Sequence, residues 1–304
     1  MALIIEQVVN GLQLGIMLFL ISAGLTLVFG IMGLINLTHG SLYMIGAFVG
    51  ATVVNYTGSF LLGALAGVAA AAAAGAAVEY IVLRRLYQRS FLDQVLATYG
   101  LILFFNQATV MLWGRQPLFT DVPKALSATI ELAPGVPYPV YRLFIIAVGL
   151  AIAIGLYLLI AKTRVGMLIR AGATHRDMVR ALGVSIRLLY TVIFGLGALL
   201  AGLAGFLAGP IFAVQVGMGE QIIVLAFVVI VIGGIGSIRG ALVGAVLVGT
   251  VDTLTRAFAP ILFKSMMDAT QADSLSAGLS SIVVYLLMAA VLIWRPKGLF
   301  PANP

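Results

Sequence analysis

Chemically reactive side chains are scarce in this 304-residue chain, which has no cysteine, two histidines and ten acidic residues. Without cysteine, neither disulfides nor thiol chemistry is available. The sequence also contains no H-E-x-x-H metal motif, no G-x-x-x-x-G-K-[ST] phosphate loop and no G-x-S-x-G nucleophile elbow. We therefore expect no metal site, no cofactor bound by this chain and no catalytic residue. The sequence does not predict an enzyme.

Charge is scarce as well: charged residues make up 9% of the chain and apolar residues 62%, and the mean hydropathy is +1.17. From Gln7 to Val78 there is no Asp, Glu, Lys or Arg. That run is long enough for three membrane crossings, because a helix needs about 20 residues to cross about 30 Å of hydrocarbon. Backbone polar groups in lipid must be satisfied within their own segment, which favours helices.

The predicted fold class is therefore all-α, a polytopic membrane helix bundle of eight to nine transmembrane helices in a single domain, residues 1–304. One apolar run, 221–237, is short enough to be re-entrant, which leaves the count open between eight and nine. The predicted spans are 7–29, 36–54, 60–83, 92–112, 142–161, 188–209, 221–237, 240–258 and 277–294.

Basic residues cluster at the ends of these spans. Twelve of the 17 Lys and Arg residues lie within 84–89, 162–187 and 295–297 or at Arg239. Alternating nine spans places all twelve on one side, which the positive-inside rule makes cytoplasmic. We therefore expect the N-terminus outside and the C-terminus in the cytoplasm. The net charge of +7 then reflects membrane topology, and nucleic acid is not an expected partner.

The longest outer loop is predicted at 114–141, which carries five of the ten prolines. Because proline restricts the backbone to turn and extended conformations, we expect an ordered loop built around a small hairpin. The loop is either a connector or a docking surface for an external partner.

Glycines recur four residues apart in several spans, which predicts close helix packing; examples are Gly11 and Gly15, Gly46 and Gly50, and Gly63 and Gly67.

A short polar segment interrupts the second span. It contains Asn36, Thr38, His39, Gly40 and Ser41. Polar side chains inside a membrane are costly unless they find partners or face a water-filled cavity. The segment either makes an interhelical hydrogen bond, or starts a helix with Asn36 or Thr38 as the cap, or forms part of a translocation path. We treat these five residues as candidate path residues.

The most charged stretch is RAGATHRDMVRALGVSIR, residues 170–187. Thr174 and Asp177 have the spacing of a capping box, residues 173–182 favour a helix, and Gly183 is a natural helix stop. The sequence thus predicts a short amphipathic helix on the cytoplasmic side. On physical grounds alone, such a helix could lie on anionic lipid headgroups.

This stretch lies within TRVGMLIRAGATHRDMVRALGV, which resembles the cytoplasmic coupling loop of ABC importer permeases of the branched-chain amino acid (Liv) type. The resemblance continues in GLTLVFGIMGLINLTHGSLYMIGAF, in VVIVIGGIGSIRGALVGAVLVG and in LIWRPKGLF. It covers nearly the whole chain in order. It implies a permease subunit that forms half of the translocation path for branched-chain or other hydrophobic amino acids in an ATP-driven importer.

The resemblance also implies partners: a second, related permease, two ABC ATPase subunits that hold ATP and Mg, a periplasmic substrate-binding protein, and the lipid bilayer of the bacterial inner membrane. The coupling loop, about 162–187, would insert its short helix into a cleft on an ATPase subunit. The residues implied at that interface are Arg170, Ala171, Thr174, His175, Asp177, Arg180 and Gly183.

Two positions depart from the pattern of this family. Ser41 stands where many relatives carry an acid, and Arg239 stands where relatives often have proline. These departures leave the substrate open, since other relatives carry urea, short amides or aromatic acids.

A secondary carrier or channel is a less favoured alternative, because ionisable residues at mid-membrane are few. An intramembrane enzyme would require paired acids or metal ligands within the spans, and the sequence has neither.

Overall fold

The computed structural model describes residues 2–174, 176–181 and 183–301. Within these residues the chain forms eleven α-helices, two 3-10 turns and one antiparallel hairpin. The helices are α1 Ala2–Met32, α2 His39–Thr57, α3 Phe60–Ile81, α4 Phe91–Trp113, α5 Val140–Lys162, α6 Arg164–Thr174, α7 Arg176–Ala181, α8 Ile186–Ala208, α9 Met218–Gly233, α10 Ile238–Lys264 and α11 Ala269–Trp294. The 3-10 turns are Leu83–Arg85 and Lys124–Leu126, and the strands are β1 Thr129–Ala133 and β2 Val136–Pro139.

The protein is a polytopic membrane helix bundle. Seven described helices, α1, α3, α4, α5, α8, α10 and α11, are long and apolar enough to cross a bilayer. Helix α9 has 16 residues, or about 24 Å at 1.5 Å per residue, which is shorter than a typical hydrocarbon core. Each of the nine predicted spans coincides with one helix, α2 and α9 included. The count of eight to nine crossings stays a prediction.

Contacts divide the chain into two compact units that are each assembled from segments distant in sequence. One unit comprises Met1–Phe19, Val122–Leu150 and Phe227–Pro304, and the other comprises Leu20–Asp121 and Ala151–Ala226. The second unit contains the candidate path and coupling residues. Our expectation of one permease domain over residues 1–304 stays a prediction.

Small residues bring α2, α3 and α8 together in the second unit. A Cβ built on Gly46 of α2 would meet the backbone of Gly202 in α8, and one on Gly67 of α3 would lie 2.5 Å from the Gly46 carbonyl oxygen. A side chain at any of these positions would force the backbones apart. The predicted role of the spaced glycines in close helix packing is therefore confirmed here.

The first unit holds the hairpin and the beginning of α1. Strands β1 and β2 pair antiparallel, with Ile130 opposite Tyr138. Tyr138 is buried, and its hydroxyl donates a 3.1 Å hydrogen bond to Asn10 of α1, which also accepts from Arg142. The hairpin predicted within 114–141 is present and ordered. That it faces the outside stays a prediction.

Helix ends in the second unit follow local capping chemistry. Ser90 and Asp93 form a complete capping box at the start of α4. The hydroxyl of Ser185 accepts a 3.4 Å hydrogen bond from the Leu188 amide and starts α8. Gly58 ends α2 in the left-handed region, at φ 69°. These residues set where the chain turns between long helices.

Candidate functional site

The N-terminal ends of α2 and α9 lie within the second unit and contact each other. Helix α2 starts at His39 and α9 at Met218. A Cβ built on Gly40 would overlap the carbonyl oxygen of Gly219, and a Cβ on Gly219 would overlap the carbonyl oxygen of Gly40. Glycine at both positions is therefore what allows the two backbones to touch.

A small, partly open depression lies beside this glycine contact. Three polar side chains reach it: Ser41, Asn106 and Glu220. The Asn106 side-chain amide donates a hydrogen bond to the Glu220 carboxylate. Ser41 is only 3% exposed. The remaining wall consists of Leu37, Gly40, Met44, Ile102 and Gly219.

The other polar residues of the 36–41 segment lie deeper. Asn36, Thr38 and His39 are completely buried. Thr38 donates a 3.1 Å hydrogen bond to the carbonyl oxygen of Thr98. Thr38 stands at the N-cap position of α2, but its side chain makes no cap hydrogen bond. The expected side-chain cap is therefore wrong, whereas the expected interhelical hydrogen bond is confirmed for Thr38. The side-chain nitrogen and oxygen of Asn36 have no hydrogen-bond partner among the described residues.

A buried carboxylate joins the end of α3 to the beginning of α8. Glu79 is completely buried and forms an ion pair with Arg84 at 3.2 Å. Its second partner is the Thr191 hydroxyl at 2.8 Å, and its third is the hydroxyl of Tyr87. Burial and the hydrogen bond to Glu79 raise the pKa of Tyr87, so its hydroxyl remains a donor at ordinary pH.

The described residues before α8 are helical over Arg164–Thr174 and Arg176–Ala181, which include most of the helix expected over 173–182. Helix α6 extends back to Arg164 and packs on α8, since a Cβ on Gly172 would lie 3.0 Å from the Leu189 side chain. Gly183 has φ 82°, and the Gly183 and Val184 amides bond to the carbonyls of Arg180 and Val179. These are the two bonds of a Schellman motif, which confirms the predicted stop.

The sequence of this chain matches a known family, described as the permease component of the branched-chain amino acid transport system, over residues 7–292. The chain belongs to this family. Among curated relatives, the permease BraD of the high-affinity branched-chain amino acid system of Pseudomonas aeruginosa is 30% identical over 97% of this chain and 95% of its own length. LivH of Escherichia coli, with the same description, is 28% identical over 96% of each chain.

A more distant relative has a different cargo in its name. The ribose import permease RbsC of Escherichia coli is 28% identical over 81% of this chain and 76% of its own length. No solved structure matches this chain significantly.

Within this permease, the candidate path residues separate into two groups. Gly40 and Ser41 line the pocket, whereas Asn36, Thr38 and His39 are completely buried and do not line it. Their assignment to the path stays a prediction for all five.

The candidate coupling residues occupy the two short helices and the turn after them. Arg170 and Arg180 are exposed, Ala171 is half-buried, and Gly183 is exposed at the end of α7. His175 lies outside the described residues, as do the side chains of Thr174 and Asp177, so the expected capping box is not described. The coupling role of these residues stays a prediction.

The sequence analysis missed Asn106, Glu220 and Thr191. Glu220 carried a signal, because it is the one acid between Asp177 and Asp252 and directly precedes an apolar run. Asn106 and Thr191 carried none, since a single amide or hydroxyl inside a helix is common. Their roles depend on which helices meet.

Proposed function

We propose that this chain is the membrane-spanning permease subunit of an ATP-driven ABC importer for branched-chain amino acids. One observation carries the proposal: the family match extends over residues 7–292, almost the whole chain. The names of BraD and LivH supply the substrate class. Urea, short amides and aromatic acids remain the alternative substrates to test against.

The partners belong to the same proposal. A second, related permease completes the path, two ABC ATPase subunits bind ATP and Mg²⁺ and hydrolyse the nucleotide, and a periplasmic binding protein delivers the substrate. This chain then binds no cofactor and catalyses no reaction. We place it in the bacterial inner membrane with its N-terminus outside and its C-terminus in the cytoplasm, in line with the basic residues at 84–89 and 162–187.

The proposed coupling runs from α6 and α7 into the second unit. Helices α6 and α7, with Arg170, Ala171, Thr174, His175, Asp177, Arg180 and Gly183, form the contact with the ATPase. Helix α8 begins directly after α7. Its Thr191 hydroxyl donates a hydrogen bond to Glu79 at the end of α3. A movement of the coupling segment therefore acts on α8 and α3 together. Helix α2 packs against both, so the same movement reaches the pocket at its N-terminus.

A secondary carrier is the competing proposal, and two ion pairs argue against it. Proton-coupled carriers use acids that change protonation inside the membrane. Glu79 forms an ion pair with Arg84, and Asp252 forms one with Arg256 at 2.8 Å, so both carboxylates already have a partner within the protein.

Reconstitution tests the proposed function. The permease pair, the ATPases and the binding protein are placed in liposomes, and uptake of radiolabelled leucine, urea and benzoate is measured with and without ATP. We expect ATP-dependent leucine uptake, none with ATPase subunits that cannot hydrolyse ATP, and none by this chain alone. Ion-driven uptake by the chain alone would refute the importer, and uptake of urea or benzoate in place of leucine would refute the substrate class.

A further inference from the structure

Two segments outside the helices of the second unit meet at one reciprocal pair of backbone hydrogen bonds. The Leu118 amide donates to the Val214 carbonyl oxygen, and the Val214 amide donates to the Leu118 carbonyl oxygen, both at 2.9 Å. We call this isolated antiparallel bridge the outer latch. Leu118 belongs to the segment after α4, and Val214 to the segment between α8 and α9. The Asn55 side-chain amide donates a 3.3 Å hydrogen bond to the Phe119 carbonyl oxygen and holds the first segment at the end of α2.

The segment 209–217 runs from the end of α8 to a different level of the bundle. The side chain of Phe206, near the end of α8, packs on Gly50 of α2, whereas Gly219, at the beginning of α9, packs on Gly40 of α2. Gly50 and Gly40 are about 15 Å apart along the helix axis, at about 1.5 Å per residue. Helix α9 therefore begins about 15 Å nearer the N-terminal end of α2 than α8 ends, and the chain covers that distance without a helix.

Non-helical backbone at this level indicates a water-filled route. Within a bilayer, such backbone is tolerated only where it is buried in protein or lines a water-filled cavity. The segment 209–217 is not fully buried, because Gln215 is exposed and Val216 and Gly217 are half-buried. An exposed glutamine side chain also favours water over hydrocarbon. In a permease, a water-filled route beside α2 and α9 is a route for the substrate.

The latch has the features of a contact that opens. Among the described residues, one reciprocal pair is the whole ladder between its two segments. Thr120, two residues after Leu118, is buried, and its hydroxyl has no hydrogen-bond partner among the residues that the structure describes. Leaving a buried hydroxyl unpaired lowers the stability of the closed arrangement. Gly217, at φ 87°, lies between the latch and α9, where glycine changes conformation at little cost.

We propose that the outer latch is a gate on the outer side of this permease, closed in this structure, and that Leu118 and Val214 separate in every transport cycle to admit the substrate. The proposal rests on the proposed function and on the predicted position of residues 114–141 outside the membrane. A static anchor is the alternative, in which the latch holds the ends of α2 and α4 in place throughout the cycle. The two differ in whether transport survives when the latch is locked.

A reversible cross-link locks the latch, because the chain has no native cysteine. Partners in a hydrogen-bonded antiparallel pair have Cα atoms about 5.5 Å apart, within the range of about 4.4–6.8 Å that a disulfide bridges. The double variant Leu118→Cys, Val214→Cys is reconstituted with the second permease, the ATPases and the binding protein. The disulfide is verified by mass spectrometry, and ATP-driven leucine uptake is measured after oxidation and again after reduction. We expect uptake to be lost on oxidation and regained on reduction.

The matched control is Glu131→Cys with Pro137→Cys, which joins two exposed partners across the hairpin; oxidation should leave its uptake unchanged. Oxidised wild type controls for thiols of the partner subunits. Normal uptake with the latch cross-linked shows a static anchor and overturns the gate. Equal loss of uptake in the hairpin pair, or failure of the latch disulfide to form, would overturn it as well.

Should the double variant be inactive even when reduced, the single variant Leu118→Cys still decides. Its labelling by a maleimide should be faster during ATP-driven transport than without ATP, because opening exposes the half-buried position. Equal labelling rates would contradict the gate. Failure of the proposed function would appear separately, as absence of ATP-driven leucine uptake by the wild type with its partners.

Discussion

The hydroxyl oxygen of Thr191 lies 2.8 Å from the Glu79 carboxylate and joins the beginning of α8 to the end of α3. The hydroxyl has one proton, and Glu79 is nearer than its other acceptor, the Arg187 carbonyl at 3.0 Å. Arg84 donates to the same hydroxyl at 2.9 Å and to Glu79. Three elements therefore share one hydrogen-bonded cluster immediately after the candidate coupling segment.

We predict that Thr191→Val weakens this connection, whereas Thr191→Ser preserves it. Valine has nearly the same shape but removes one hydrogen-bond partner each from Glu79 and Arg84, which stay paired with each other; losing a hydrogen bond in a buried cluster costs about 1–3 kcal/mol. Melting temperature of the purified permease and the ratio of ATP hydrolysed to substrate imported are the measurements. Thr191→Val should lower the melting temperature and raise the ratio. Identical values for the Val and Ser variants would contradict a coupling role.

Gly40→Ala should disrupt the contact between α2 and α9. Its Cβ would overlap the Gly219 carbonyl oxygen, and overpacking of this kind costs about 1–3 kcal/mol. Gly100→Ala is the control, because a Cβ there meets nothing within 4 Å and alanine favours a helix interior. We expect a lower melting temperature and reduced uptake for Gly40→Ala only. Equal behaviour of the two variants would mean that the backbone contact is unimportant.

Gly183→Val should damage the end of α7 while leaving the membrane helices folded. A β-branched residue at φ 82° costs about 1–2 kcal/mol or more, whereas asparagine tolerates the left-handed region. We expect normal expression of both variants, with ATPase subunits lost from Gly183→Val during purification and retained by Gly183→Asn. Normal ATPase binding and uptake in Gly183→Val would refute the coupling assignment.

His39 is a candidate path residue, and its ring is completely buried. If the imidazole serves the path, uptake should fall in His39→Leu and be largely retained in His39→Gln. Wild-type uptake by both variants would remove His39 from the path.

The absence of native cysteine makes topology directly measurable. Ser127→Cys and Arg89→Cys each place a single thiol at an exposed position. A membrane-impermeant maleimide applied to intact spheroplasts should label Ser127→Cys, and Arg89→Cys only after permeabilisation. The reverse pattern would invert the predicted orientation.

The sequence alone was sufficient to predict the helices that coincide with the nine apolar runs, because a long uncharged run in lipid has no alternative to internal hydrogen bonding. It was also sufficient for local features that depend on a few neighbouring residues, such as the stop at Gly183 and the hairpin within 114–141. The side-chain cap expected at Thr38 is absent because its backbone is already helical, at φ −63° and ψ −12°, whereas a capping residue is usually extended.

What only the tertiary structure decided is which polar groups meet. Glu79 and Thr191 are separated by 112 positions, and Asn106 and Glu220 by 114. Nothing in the local sequence of Asn106 or Thr191 indicates a partner, because that partner depends on how α3, α4, α8 and α9 pack. Composition and hydrophobic runs therefore determined that the chain enters the membrane as helices. The close approach of glycine backbones determined which helices touch. The contacts between those helices in turn determined where the pocket and the buried Glu79 cluster lie.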